Sequence, residues 1–469
     1  MRLLILLLTT QIYRNYKIMK KTQSINPEGI VYVVSLGCPK NLVDTEVMTG
    51  VLVSNGFYLA MDPDQADIYL INTCAFIPSA RSEATEALKE AEAWKKENPD
   101  ERKIIIAGCL IQWDKLETYH EKFPTVDLWI GVDQVPNIAK LLKDIKPSLN
   151  YLRNETPTFL YDEKIPRLQL TLPHIAYLKI ADGCDNRCSY CAIPGIRGNM
   201  RSRLLQSVLS EAKTALSNGA TELLIMAQDI TTFGDDRDDN EDLSSLLVEM
   251  NKLKGNFWIR LLYTHPAHFP QKLIDTIAKC KHILPYVDMP MQHISEKLLD
   301  SMHRHISEAD TRDLLKRMRK GISNLAIRTT FITGLPGETE DDFQMLKDFI
   351  IKEEFERLGV FSYSPEPGTP AADFENQVSH ELAEERAAEL MEIQAKISFK
   401  KNKLLVGSEF DVIVDFIEDF GAVGRTYMDA PEIDNIVIIP DEFNLAPGQV
   451  YKTIITDADT YELTAKLKN

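Results

Sequence analysis

The stretch "ADGCDNRCSYCAIP", residues 181–194, sets Cys184, Cys188 and Cys191 within eight positions. Thiolates spaced so closely are metal ligands, and both a tetrahedral zinc ion and a four-iron cubane have four corners to fill. Structural zinc takes four closed ligands, commonly from a second CxxC or a His pair, and no second pair lies nearby in the sequence. A cubane offers another arrangement: three thiolates hold three irons, and the fourth iron stays open to a small molecule. Tyr190, directly before Cys191, favours the cubane, because an aromatic residue is usual at that place in the motif.

In a CxxxCxxC arrangement the small molecule is S-adenosylmethionine, whose amino and carboxylate groups chelate the free iron. One electron passed to the sulfonium then yields a 5′-deoxyadenosyl radical able to take hydrogen from an unactivated carbon. The protein's part is to orient the reagents and exclude water.

Three further cysteines repeat the vacancy at longer range. Cys38 ends "IVYVVSLGC", Cys74 ends "DIYLINTC" and Cys109 ends "RKIIIAGC", a spacing of about 35 residues, one βαβ step. Parallel strands put their carboxyl ends on one edge of a sheet, so three thiols distant in sequence are expected to converge. Free cysteine is often simply buried, but that reading needs the same coincidence in three successive units. A second cubane with an open iron is a candidate carrier of sulfur.

The elements that must position these groups divide the chain into segments. Residues 29–145 alternate β-rich runs with helical patterns and predict a parallel α/β sheet domain. Residues 146–173 are polar and proline-punctuated and predict a linker. Alternation resumes over 174–402, with strands expected in "IAYLKIA", "TELLIMA", "FWIRLLY", "ILPYVDM", "LAIRTTFI" and "RLGVFSY", and helices at 205–217, 241–254, 270–281, 308–321 and 339–354. This predicts a full or partial (β/α) barrel with the cysteine triplet just after its first strand, where barrel enzymes keep their chemistry. A long helix starting at a Ser379 N-cap leads to residues 403–469, where five short runs between Gly, Pro and Asp turns predict a small antiparallel β-barrel.

Residues 1–28 are expected to be a mobile tail. The apolar run of "MRLLILLLTT" is too short to span a bilayer, no cleavage site follows it, and Met19 with Lys20 and Lys21 looks the more natural start.

Composition narrows the partners. Of 469 residues, 44% are hydrophobic and 26% charged, enough apolar surface for about three cores. A net charge of -17 disfavours strong nucleic-acid binding through phosphates. The last segment, 403–469, carries 13 acidic and 5 basic residues, a net charge of -8, which favours a basic partner. Seven cysteines, six of them in two patterned sets, indicate metal binding in a reducing cytoplasm rather than a disulfide scaffold.

From about residue 30 to its end the chain resembles the methylthiotransferases, radical S-adenosylmethionine enzymes with a three-cysteine N-terminal domain, a radical core and a C-terminal TRAM barrel. The residues carrying the likeness are "SLGCPKNLVDTE", "INTCAFI", "AGCL", "IADGCDNRCSYCAIPGIRG", "RTTFITGLPGET", "YSPEPGTPAA" and "APEIDNIVII". "SLGCPKNLVD", "AIPGIRGNMRSR" and "WIRLLYTHP" resemble the branch that modifies an aspartate of small-subunit ribosomal protein twelve rather than the branch that modifies transfer RNA. The resemblance implies two 4Fe-4S clusters, S-adenosyl-L-methionine as methyl donor and radical source, and an electron donor such as flavodoxin or ferredoxin. It implies Cys184, Cys188 and Cys191 as ligands of the radical cluster and Cys38, Cys74 and Cys109 as ligands of an auxiliary one.

Other positions carry weaker signals. Gln228 and Asp229 in "IMAQDIT", Arg260 in "WIRLLY" and Gly334 in the "GLPGE" turn at 334–338 are candidates to contact S-adenosylmethionine from strand ends. Arg187 lies between two ligands and can offset cluster charge or simply face solvent. His293 is a substrate-side candidate or a structural histidine, and Cys280 reads as a buried small hydrophobe. Competing assignments are a transfer-RNA methylthiotransferase, a non-enzymatic iron-sulfur carrier, and a structural zinc protein.

Overall fold

A computed structural model describes residues 27–113, 116–145 and 151–468. The expected tail, residues 1–28, lies outside the described residues apart from Pro27 and Glu28. The chain folds as two compact units. The first comprises residues up to 172 with 181–185 and 192–203; the second comprises 173–180, 186–191 and 204–469.

In the first unit, β1 (Ile30–Ser35), β2 (Tyr58–Ala60), β3 (Ile68–Thr73), β4 (Lys103–Gly108), β5 (Leu128–Ile130) and β6 (Tyr151–Leu152) form one sheet of order β2-β1-β3-β4-β5-β6. Every neighbouring pair in it is parallel. β3 is buried at all six positions, as a strand covered on both faces must be, and its sequence is correspondingly a near-continuous apolar run. Helix α1 (Pro39–Ser54) and helix α2 (Pro78–Lys96) each begin with proline in the first turn, where the missing N–H has no intrahelical partner to lose. Ala84, Ala87, Leu88, Ala91 and Trp94 form the buried stripe of α2.

β2, β5 and β6 were not visible as patterns, because runs of two or three residues show no period. β6 lies within the expected linker 146–173, and Gly131 N donates to Leu152 O at 2.7 Å. Further along that segment, Leu170 N and Arg167 both bond Glu46, whose fully buried carboxylate on α1 needs these donors. A short helix, α3 (Cys109–Trp113), follows β4. The first unit also holds a two-residue antiparallel ladder, β8 (Ala181–Asp182) with β9 (Arg201–Ser202), and between them helix α4 (Ile193–Arg197).

In the second unit six parallel strands lie in the order β14-β13-β12-β11-β10-β7. They are β7 (Ile175–Lys179), β10 (Glu222–Met226), β11 (Trp258–Leu261), β12 (Ile283–Asp288), β13 (Ala326–Thr333) and β14 (Arg357–Ser362). β14 and β7 are the two edges, so the expected (β/α) barrel is an open, partial one. The connecting helices include Leu205–Ser217 and Glu308–Gly321, which match their expected spans, and Leu243–Asn251, Gln271–Lys279 and Glu340–Glu353. Ser379 caps the long helix His380–Leu404 by accepting from Leu382 N at 3.2 Å.

Beyond that helix, β15 (Glu409–Glu418), β16 (Gly421–Arg425), β17 (Ile436–Pro440), β18 (Val450–Ala458) and β19 (Glu462–Leu467) close into a barrel in the order β15-β16-β17-β19-β18. One of its ladders corrects the antiparallel expectation: β17 and β19 run parallel. The barrel is tied to the strand core of the same unit by buried ion pairs. Glu222 holds Arg260 and Arg425 at 2.7 Å each, Arg425 holds Asp415 at 2.7 Å, and Asp415 accepts from His174 at 2.9 Å. Arg357 pairs with Asp429 at 2.5 Å, and Arg328 with Asp434 at 3.4 Å. Three of the barrel's acids are therefore spent inside the unit rather than presented to a partner.

Candidate metal centres

Cys38, Cys74 and Cys109 stand at the carboxyl ends of β1, β3 and β4, three neighbouring strands of the first unit. Cys38 is the N-cap of α1, and Cys109 opens α3. The backbone makes room for them. Gly37 has φ +88, and a Cβ there would lie 2.5 Å from the Cys74 Cβ. Gly108 has φ +100, and a Cβ there would lie 2.4 Å from Asn72 Oδ1. Both conformations belong to glycine.

Burial pushes the Cys74 thiol up to about 12, and the neighbouring Cys109 and Cys38 add to the shift, so the three sulfurs feel one another. Burial also raises Cys109, against the opposing charge of Arg197. A metal displaces such protons and turns the cost of burying thiolates into binding. Three soft donors fit a cubane held at three corners better than a closed zinc site, which takes four.

Arg197, which the sequence reading passed over, is central to this group. Its guanidinium is 3% exposed and bonds Asp44 at 2.6 Å, Asp182 at 3.3 Å, Asn41 at 3.3 Å and Cys109 Sγ at 3.2 Å. Asp182 is two residues before Cys184, so one side chain links a ligand of the first trio to the strand that leads into the first ligand of the second. The only signal in the sequence was an arginine in "PGIRGN", next to Gly198 with φ +73.

Of the second trio, Cys184 belongs to the first unit and Cys188 and Cys191 to the second. In the first, Cys184 N donates to Gly198 O at 3.1 Å, and Gly183 has φ +83 with Asn199 O 2.0 Å from where a Cβ would stand. In the second, Cys188 is buried and Cys191 half-buried, with Cys191 N donating to Cys188 O at 3.1 Å. Between them Ser189 N donates to Met302 O at 3.1 Å, and Ser189 Oγ to Ser301 O at 2.8 Å.

Gln228 and Asp229 follow β10. Asp229 is buried, accepts from Thr231 N at 2.9 Å and from Asn186 Nδ2 at 2.8 Å, and so touches the cysteine loop. Asn186 Oδ1 faces His268 Nε2 at 2.7 Å. Asp229, His265 and His268 offer ligand atoms within 4.8 Å of one another. Burial depresses His265 well below the usual imidazole range and keeps it neutral, with Nδ1 accepting from Ala267 N at 3.2 Å. The two histidines were missed; their signal is the i, i+3 spacing in "HPAH".

The remaining candidates are placed differently. Arg260 does not join this group: it is fully buried, bonded to Glu222 and to Tyr427 O at 2.7 Å, and held over the Tyr286 ring, which corrects its reading as a cofactor contact. Gly334 has φ +76 and lies against Ala383, where a Cβ would be 2.2 Å from the alanine's own. Its N–H donates to Glu338 at 2.9 Å, so the turn's glycine is required by backbone geometry. His293 is fully buried, accepts from Ser295 N at 3.0 Å, and is held at about 4 by burial. Arg187 is exposed with φ 52. Cys280 is half-buried at the end of a helix rather than fully buried.

Comparison with known proteins gives three matching family models: Uncharacterized protein family UPF0004 over residues 30–131, the Radical SAM superfamily over 178–350, and the TRAM domain over 406–467. Among solved structures, the radical S-adenosylmethionine methyltransferase TsrM from Kitasatospora setae matches with TM-score 0.54 at 15% identity, covering 73% of this chain and 75% of that one. That likeness is one of fold. Relatives named ribosomal protein uS12 methylthiotransferase RimO are closer in sequence. The protein from Carboxydothermus hydrogenoformans is 42% identical over 440 residues, 93% of this chain and 99% of its own. The one from Akkermansia muciniphila is 41% identical over 456 residues, again 93% and 99%. With thiol trios suited to iron-sulfur clusters, a partial barrel, a closed terminal barrel and these relatives along nearly its whole length, the chain belongs to the RimO family of radical S-adenosylmethionine methylthiotransferases.

Proposed function

We propose that this protein replaces a hydrogen on the β-carbon of an aspartate in ribosomal protein uS12 with a methylthio group. In this reading Cys184, Cys188 and Cys191 hold the cluster that binds S-adenosyl-L-methionine, and Cys38, Cys74 and Cys109 hold the auxiliary one. The observation that carries it is the convergence of Cys38, Cys74 and Cys109 at three adjacent strand ends, in a chain that also has a CxxxCxxC loop. Radical generation alone needs one such site; adding sulfur to carbon needs a place to hold sulfur. When bound, the two clusters supply one-electron cleavage of S-adenosyl-L-methionine and a sulfur-carrying metal apex.

The chain's own residues do the rest. Gly37 and Gly108 let the backbone approach closely enough for the first three thiols to meet. Arg197 fixes Cys109 against Asp44 and Asp182. Ser189 pins the loop between Cys188 and Cys191. Asp229 and Asn186 order the polar rim beside that loop. Gln228, next to Asp229, is the residue we assign to cofactor contact.

The terminal barrel remains acidic after its buried pairs are discounted, with Asp411, Asp419, Glu432 and Asp441 exposed. That charge steers a basic ribosomal protein inward and repels a nucleic acid. A small flavodoxin or ferredoxin in a reducing cytoplasm fits as electron source. No helix among the described residues is long and apolar enough to cross a membrane.

The test is anaerobic reconstitution followed by incubation with S-adenosyl-L-methionine, dithionite and either uS12 or a peptide carrying its aspartate. The expected result is the mass gain of a methylthio group on that aspartate. Modification of transfer RNA with none on uS12 overturns the substrate; clusters without 5′-deoxyadenosine overturn the enzyme.

A further inference from the structure

Residues 301–305 close around the cysteine loop within the second unit. Besides the two backbone carbonyls that hold Ser189, three successive side chains reach it. His303 Nδ1 lies 3.3 Å from Arg187 O, and His305 Nε2 lies 3.4 Å from Asn186 O. Between them, Arg304 Nη1 donates to Cys188 Sγ at 3.4 Å and to the Tyr190 hydroxyl at 3.4 Å, while Nη2 donates to Pro290 O at 2.7 Å. His303 and His305 have φ 56 and 55, a region that residues with side chains rarely adopt. The chain is bent on both sides of Arg304, which delivers the guanidinium to one fixed place.

Arg304 is 4% exposed, and among the described residues no carboxylate bonds its guanidinium, although the buried Asp229 acts on it at longer range. Its Nε is buried with no hydrogen-bond partner among the described residues. Arg197, equally buried beside Cys109, has Asp44 and Asp182 to balance it. A cation taken out of water is costly unless an anion meets it, and the group that Arg304 bonds is the Cys188 sulfur, which would carry the negative charge of a thiolate when it holds metal.

We infer that Arg304 sets the electron affinity of the cluster at Cys184, Cys188 and Cys191, acting through the Cys188 sulfur. This rests on the reading of those cysteines as cluster ligands. Adding one electron makes the site more negative by one charge. A fixed cation and a hydrogen bond to a ligand sulfur favour that reduced state. Arg304 is thus a positioning residue that makes the site easier to reduce, the electron coming from dithionite in the test and from the protein electron donor in the reaction.

The test uses the full, reconstituted chain. The cluster signal that changes on adding S-adenosyl-L-methionine is followed by electron paramagnetic resonance through a dithionite redox titration. If the unaltered chain shows no such signal, the ligand assignment itself fails. Given the signal, Arg304→Met is expected to lower the midpoint potential by about 60 mV, a tenfold loss in the one-electron reduction equilibrium. Arg304→Lys, which keeps the charge, should recover at least half of that. If Arg304→Met does not retain its iron, Arg304→Gln takes its place with the same expected sign. A midpoint equal to or above that of the unaltered chain, in a variant with full iron content, overturns the inference.

Discussion

Arg197→Met removes a buried cation from between two buried carboxylates. Asp44 and Asp182 are 4% exposed each and bond the guanidinium at 2.6 and 3.3 Å. Breaking a buried pair by deleting one partner costs about 3–5 kcal/mol, because the remaining charge is left desolvated without compensation. At about 1.4 kcal/mol per factor of ten, that cost raises the local opening equilibrium by about two to four orders of magnitude. Asp44 lies on α1, so the effect should appear in amide hydrogen exchange of residues 39–54, measured on the metal-free chain under anaerobic conditions. Adding Asp44→Asn removes one of the stranded charges and should restore part of the protection. Exchange across 39–54 that is unchanged in Arg197→Met would refute the reasoning, since it would mean that the carboxylates are relieved by water or protonation at little cost.

Other consequences are open to direct measurement. Cys188→Ala should abolish 5′-deoxyadenosine formation, whereas Cys74→Ala should leave it intact and block methylthio transfer; both are read by chromatography and mass spectrometry of one reaction. Gly37→Ala places a Cβ 2.5 Å from that of Cys74 at φ +88, so iron analysis after reconstitution should find one cluster per chain instead of two. Burial resists ionisation of Asp415, but Arg425 and the His174 hydrogen bond outweigh it and hold the carboxyl at about 2. An unfolded aspartate titrates at about 3.9, and the difference contributes about 3 kcal/mol that is fully present above pH ~5 and lost as the pH falls through 2. Urea midpoints should therefore show Asp415→Asn less stable than the unaltered chain at pH 6, with the gap narrowing by pH 3; a gap independent of pH would count against the buried pair.

Much of the architecture was legible because it rests on local repetition. The six strands of the core are four to eight residues long and rich in apolar and β-branched residues, and the helices between them bury one stripe, so the βα alternation shows in the sequence. Strands Tyr58–Ala60, Leu128–Ile130 and Tyr151–Leu152 are too short for any period, and what makes them strands is a neighbour's free edge. The parallel pairing of β17 with β19 is likewise a matter of barrel closure, which brings together strands that are not consecutive. Arg260 shows the same limit in a single residue. Its position on a core strand was readable, but Glu222 on the neighbouring strand and Tyr427 beyond the long helix decide where its guanidinium goes.

The sequence by itself determined the chemistry: six cysteines in two spacings, each set one ligand short, and the glycines that let backbone and sulfur approach. Spacing is a local property, and a CxxxCxxC loop or a strand ending in cysteine states its donors without reference to the rest of the fold. Only the tertiary structure decided which charges stand beside those sulfurs. Arg197 and Arg304 lie 88 and 116 positions from the cysteines they touch. No pattern marks them, because a buried charge is placed by the anions that long-range packing brings to it.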